Sequence, residues 1–86
     1  HPDYVPVIIS LGYAYLKSEL YSDSVTYFAR LMRNNSPYID KAIKGLKDII
    51  NVCPEQVMAR QYLGEAYIHI GDNEKAMEEF QAAMDR

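Results

Sequence analysis

The strongest constraint on this chain is a short pattern that occurs twice. The pattern Leu-Gly-x-Ala-Tyr occupies residues 11–15 and returns at residues 63–67, and a phenylalanine follows at residue 28 and again at residue 80. A single offset of 52 residues relates all five matching positions. Five matches in one register indicate an internal repeat of a structural unit.

Apolar residues between the turn signals recur at steps of three and four, which predicts helices, and no segment alternates as a half-buried strand does. The predicted helices cover residues 4–18, 21–34, 38–52, 55–70 and 73–85. Short connections place sequential helices antiparallel. We therefore expect an all-α fold of about five antiparallel helices in one domain spanning 1–86.

Several residues mark the expected helix ends. Ser36 is expected to cap the third helix, with Pro37 in its first turn, and Pro54 with Glu55 to open the fourth helix. Gly71 suits the left-handed residue after a helix, and Asp72 suits the cap of the fifth helix.

The repeated glycines predict where helices cross. Gly12 is expected to face Ser24, and Gly64 to face Ala76, because a mid-helix glycine costs about 1 kcal/mol unless close packing offsets it. Larger residues of the repeat would fill the space around each crossing: Leu11, Tyr15 and Phe28 in the first copy, and Leu63, Tyr67 and Phe80 in the second. Ala83 is a further packing position of the second copy.

This pattern resembles the tetratricopeptide repeat (TPR) family. Residues 57–86 read Leu63-Gly64-x-x-Tyr67, Gly71-Asp72 and Ala76-x-x-x-Phe80-x-x-Ala83, with Arg60 at the place of the family's opening Trp. Residues 5–38 form a more degenerate copy. The resemblance implies stacked helix hairpins, an α-solenoid, and we expect the chain to be part of a longer one.

The spacing departs from the family, whose copies follow every 34 residues. The additional 18 residues form the intervening helix, 38–52. This helix is either a solitary insert between two hairpins or the first helix of a second hairpin, 39–72, in a different phase. The pairing of Gly64 with Ala76 favours packing of the fourth helix on the fifth.

The resemblance implies a groove that binds a protein or peptide partner. The part of the partner that binds would be an amphipathic or extended segment. Carried over by motif, the groove residues are Ile9, Tyr13, Leu16 and Lys17 in the first copy, and Met58, Gln61, Glu65, Ile68 and His69 in the second. The alternative is that the third helix covers this face. Few of these residues are basic, which argues against a clamp for terminal carboxylates.

Composition sets aside other functions. The net charge of −3 argues against nucleic-acid binding, and no apolar run is long enough for membrane insertion. We expect no metal, no cofactor and no enzyme activity, with Cys53 as a small buried residue in a cytoplasmic protein. The expected function is a protein-interaction module with an assembly or scaffold role. The alternatives are a spacer segment of a longer solenoid and a self-associating homo-oligomer.

Overall fold

The computed structural model describes residues 4–33 and 37–85. All regular structure in these residues is helical, which confirms the all-α prediction. The five α-helices are α1 (Val5–Lys17), α2 (Tyr21–Arg30), α3 (Ile39–Val52), α4 (Val57–His69) and α5 (Asn73–Met84).

Two helix ends lie two to four residues from their predicted positions. Helix α2 ends at Arg30 rather than at residue 34, because the amides of Leu31 and Met32 bond to carbonyls three residues back and tighten the chain into turns. Helix α4 begins at Val57, since Gln56 is its cap and accepts a hydrogen bond from the Met58 amide at 3.3 Å. Pro54 therefore precedes the helix without opening it.

The start of α3 also differs from the expectation. Tyr38 occupies the cap position, and Pro37 lies in the preceding turn rather than in the first turn of the helix. The predicted cap, Ser36, lies outside the described residues. At the other end of α3, Cys53 is the C-cap and is only partly buried, so its predicted burial as a small core residue is wrong.

Both hairpins turn through the same backbone motif. After α1, the Glu19 amide bonds to the Leu16 carbonyl and Leu20 to Tyr15, and the equivalent pair of bonds follows α4. This is a Schellman turn, which needs one left-handed residue. Gly71 holds that position after α4 at φ +83°, as predicted, whereas Glu19 holds it after α1 at φ +62°.

The helices pack as a zigzag in two layers. Each helix contacts the next one along the chain, and α1 also contacts α3 while α2 contacts α4. The smallest extent of the Cα trace is 14 Å, which matches two helix layers with axes about 8–10 Å apart. Helix α4 packs more extensively on α5 than on α3, which agrees with the pairing expected from Gly64 and Ala76.

The core centres on the fully buried ring of Phe28. A side chain at Gly12 would meet this ring at 2.7 Å, and a side chain at Gly45 of α3 would collide with its other side. Ser24 lies beside this contact, and its hydroxyl donates a 2.7 Å hydrogen bond to the Gly12 carbonyl. The predicted approach of Gly12 to Ser24 is thus confirmed, and Phe28 joins α1, α2 and α3.

The second hairpin repeats the contact between glycine and phenylalanine. A side chain at Gly64 would meet the ring of Phe80 at 2.7 Å, so Phe80, and not Ala76, is its nearest obstacle. Leu63, Tyr67 and Ala76 are buried around the crossing, as expected. Phe80 and Ala83 are only partly buried, and Leu11 and Tyr15 of the first hairpin are also only partly buried.

We predict that Gly64→Leu lowers the free energy of unfolding by about 2–4 kcal/mol, because the new side chain must displace the Phe80 ring. The matched control is Ser10→Leu, at an exposed helical position, which should change stability by less than about 0.5 kcal/mol. Urea unfolding followed by circular dichroism measures both. Equal midpoints for Gly64→Leu and the parent would contradict this helix crossing.

We predict that Glu19→Gly stabilises the chain by about 1 kcal/mol, because a left-handed conformation strains every residue that has a Cβ. Glu19→Ala keeps the strain and should bring no such gain. The reverse substitution, Gly71→Glu, should destabilise by a similar amount. Thermal melts of the three variants check the assignment, which fails if Glu19→Ala stabilises as much as Glu19→Gly.

Candidate functional site

The α1 part of the predicted groove lies against α3. Ile9, Tyr13 and Leu16 are partly buried and pack on the hydrophobic core, while Lys17 is exposed. The Tyr13 ring meets Phe28 edge-on, with the ring centroids 5.0 Å apart. Helix α1 also contacts α3, as expected from the alternative in which the third helix covers part of this face.

A polar cluster joins Tyr13 to α3. The Tyr13 hydroxyl donates a 2.6 Å hydrogen bond to Asp48 Oδ2, and Lys44 Nζ lies 3.1 Å from the same oxygen. The pKa of Tyr13 is raised, chiefly because the hydroxyl is partly buried and next because it is hydrogen-bonded to Asp48. Burial opposes the charged form of Asp48, but the bonds from Tyr13 and Lys44 outweigh it and lower the pKa of that carboxyl. The cluster thus holds an ionised Asp48 at neutral pH.

A surface pocket opens beside this cluster at the ends of α1 and α3. Its volume is about 600 Å³. We call it the Tyr13 pocket; it is lined by Tyr13, Leu16, Lys17, Glu19, Tyr21 and Val52. Three predicted groove residues therefore do meet at one surface concavity.

The α4 part of the predicted groove lies elsewhere. Met58, Gln61, Ile68 and His69 are exposed, and Glu65 is partly buried. Gln61 and Glu65 line a second pocket, of about 450 Å³, between α4 and α5. We call it the Phe80 pocket; its other lining residues are Val57, Phe80, Ala83 and Met84. Five of the nine predicted groove residues thus lie in two separate pockets. The other four line neither of these pockets: Ile9, Met58, Ile68 and His69.

The Phe80 pocket has a closed counterpart in the same molecule. Shifting its lining residues back by 52 positions gives Val5, Ile9, Tyr13, Phe28, Leu31 and Met32. The last three are buried and the first three pack on the core, because α3 lies over this hairpin. The equivalent surface of the second hairpin is a pocket.

Two exposed methionines of α5 show the same difference. Met77 is 63% exposed and Met84 is 84% exposed. Their counterparts, Val25 and Met32, are buried in the core. Sequence reasoning placed both methionines on the apolar stripe of the fifth helix and did not identify either as a site residue. The 52-residue register pairs them with buried residues, so their exposure is seen only in the structure.

Potential metal-binding side chains do not cluster in residues 4–33 and 37–85. No three His, Cys, Asp or Glu side chains there lie close enough to hold a metal ion. The helices in the same residues also fall short of the length and hydropathy that crossing a lipid bilayer requires.

Comparison of the sequence with protein-family models and with curated proteins finds no match.

We predict that Tyr13→Phe and Asp48→Asn each lower stability by about 1 kcal/mol at neutral pH, because each removes the same charge-assisted hydrogen bond. The double variant should lose less than the sum of the two. A lowered pKa means that Asp48 stabilises the fold above its unfolded pKa, and this contribution disappears as pH falls through the folded value, below its ordinary 3.8.

Urea unfolding at pH 7 and pH 3 measures this effect. The difference between the parent and Asp48→Asn should shrink at the lower pH. A difference that is the same at both pH values, or strict additivity of the two substitutions, would exclude the proposed role of this hydrogen bond.

Proposed function

We propose that this chain is a TPR-like, non-catalytic protein-interaction module that binds an amphipathic helix in the Phe80 pocket. The observation that carries the proposal is the comparison of the two hairpins. A helix, α3, fills the space over Phe28, and the corresponding space over Phe80 is open.

The space over Phe28, which α3 fills, indicates the shape of a helix that could fill the Phe80 pocket. Helix α3 approaches Phe28 through Gly45, a position at which a side chain would collide with the ring. Ala42, Leu46 and Ile49 of α3 are fully buried around it. A partner for the Phe80 pocket therefore needs an apolar stripe, as amphipathic helices that dock in grooves have. The equivalence with Gly45 adds that the residue at the centre of the stripe should be small.

The polar residues of the Phe80 pocket add a second requirement for the partner helix. Gln61 and Glu65 stand where the first hairpin has Ile9 and Tyr13. No ion pair holds Glu65 within residues 4–33 and 37–85. The pocket thus favours a helix that carries a basic side chain beside its apolar stripe.

The proposed function predicts binding of a synthetic helix. The probe is a fluorescein-labelled peptide with the α3 sequence, residues 39–52, in which Lys replaces Asp48 so that it can pair with Glu65. Fluorescence anisotropy should show saturable binding to the parent chain. Met84→Glu should weaken it about tenfold or more, because it places a charge in the apolar part of the pocket.

Two controls test whether the peptide binds in the Phe80 pocket and whether it needs a small residue at position 45. Ala82→Glu adds the same charge on the side of α5 opposite Met84 and should leave binding unchanged. A probe that also carries Gly45→Leu should bind poorly, because it cannot approach Phe80. Equal binding of both probes, or equal binding to the parent and Met84→Glu, would refute helix recognition at this pocket.

A further inference from the structure

A third pocket, separate from the two described above, lies between α2 and α4. Its volume is about 350 Å³. We call it the Arg33 pocket; it is lined by Thr26, Ala29, Arg30, Arg33 and Tyr62. It shares no residue with the Tyr13 pocket or the Phe80 pocket. Helices α2 and α4 contact each other, and each has a helix before and after it in the chain.

Two arginines give the Arg33 pocket positive charge without a counter-charge. Arg30 is partly buried in the last turn of α2, and Arg33 is exposed in the turn that follows. In the part of the chain that the structure describes, no acidic residue lines the pocket, and neither guanidinium forms an ion pair or a hydrogen bond. The guanidinium of Arg60 differs, because it bonds to the Pro54 carbonyl at 3.2 Å and to Glu79 at 3.3 Å.

An aromatic stack fixes the position of the Arg30 guanidinium. Its Cζ lies 5.0 Å from the centroid of the Tyr27 ring, which is a cation–π contact. Tyr27 in turn stacks on Tyr15, with the ring centroids 5.3 Å apart and the ring planes 12° from parallel. Because this side chain is already ordered, an anion that binds it causes little further loss of side-chain entropy.

Tyr62 supplies a hydroxyl from the α4 side of the pocket. Its ring is partly buried and packs on the hydrophobic core. Its O–H has no hydrogen-bond acceptor among residues 4–33 and 37–85. The hydroxyl of Thr26, in contrast, already donates to the Ser22 carbonyl at 3.0 Å. The donors that the pocket offers to a ligand are therefore two guanidinium groups and one phenolic O–H.

The repeat shows that the packing of a hairpin does not require these arginines. The 52-residue register pairs Arg30 with Ala82 and Arg33 with Asp85. The second hairpin therefore forms its helix crossing with a neutral and an acidic residue at these positions. A basic residue in the last turn of a helix interacts favourably with the helix dipole, but this explains only Arg30, since Arg33 follows the end of α2.

This set of donors matches a phosphate monoester better than a carboxylate. A phosphate monoester carries a charge of about −1.5 to −2 at neutral pH and three acceptor oxygens, whereas a carboxylate carries one charge and two oxygens. Arginine binds phosphate through paired N–H donors. A phosphorylated side chain also brings flanking residues to Ala29 and the Tyr62 ring, which free phosphate cannot contact at the same time. The net charge of −3 argues against a nucleic acid as the source of the phosphate.

We propose that the Arg33 pocket binds a phosphorylated side chain of a partner protein. Phosphorylation of that partner then switches the contact on, because the two arginines have no other anion to pair with among the described residues. The proposal goes beyond the proposed function, since the Arg33 pocket and the Phe80 pocket share no residue and each can bind without the other.

An NMR titration of the ¹⁵N-labelled chain tests the proposal. The probe is the synthetic peptide acetyl-Gly-Ala-phosphoserine-Ala-Gly-amide. It should shift the amide signals of Arg30, Arg33 and Tyr62 saturably, and the same peptide with unmodified serine should not. The peptide with glutamate in place of phosphoserine should bind about tenfold more weakly or less, because it has less charge and fewer acceptor oxygens.

Substitutions in the pocket test which side chains hold the phosphate. Arg33→Gln should weaken binding of the phosphopeptide about tenfold, and Tyr62→Phe about threefold, because each removes donors to the phosphate. Lys47→Gln removes the same charge as Arg33→Gln from an exposed position of α3 and should change binding by less than about twofold. Arg33→Gln should melt as the parent does, since its side chain is exposed and its guanidinium makes no bond within the described residues.

The absence of saturable phosphopeptide binding overturns the proposal, and so does equal binding to the parent and Arg33→Gln. Equal binding of the glutamate peptide overturns the preference for phosphate. Inorganic phosphate that binds as tightly as the phosphopeptide identifies free phosphate as the ligand. Phosphatidylcholine vesicles with phosphatidylinositol phosphate that bind the parent, when the phosphopeptide does not, identify a membrane instead. Either result excludes a partner protein as the source. Binding of the α3-derived peptide tests the Phe80 pocket separately in every case.

Discussion

The ring of Phe28 is the contact on which the arrangement of the first three helices depends. It lies between Gly12 of α1 and Gly45 of α3, and neither position has room for a side chain. Because both glycines lack a Cβ, the two helix backbones can approach opposite sides of one ring. The contact then brings Tyr13 against α3, where Asp48 accepts its hydrogen bond. The same phenylalanine therefore sets both the packing of the helices and the walls of the Tyr13 pocket.

Most of the fold could be predicted from the sequence, because its signals are local. Helical spacing of apolar residues located all five helices, and the repeated Leu-Gly-x-Ala-Tyr pattern located the crossing of each hairpin. Helix ends were less accurate where competing caps exist, as at Gln56, which takes the place expected for Pro54. The role of α3 was not predictable in this way. Its Gly45 has no partner in the 52-residue repeat, so nothing in the sequence marked it as a contact of Phe28.

The candidate site was less predictable than the fold. Motif positions identified individual residues such as Tyr13 and Glu65, but which residues share a pocket depends on where a third helix lies. Because α3 covers one hairpin and leaves the equivalent surface of the other open, residues related by the repeat have different environments. Ile9 packs on the core, while Gln61, its counterpart, lines a pocket. The assignment of these residues to one partner-binding groove stays a prediction.

The zigzag of contacts also has a consequence for how the chain folds. Helices touch neighbours that lie one or two positions away along the chain, so the contacts close short loops, and chains of this kind fold quickly. Stability should also be graded along the molecule. Helix α3 packs against α1, α2 and α4, whereas α5 packs chiefly against α4. Local opening therefore begins most readily at α5, and backbone amides should exchange with solvent most slowly in the helix that the repeat itself does not contain.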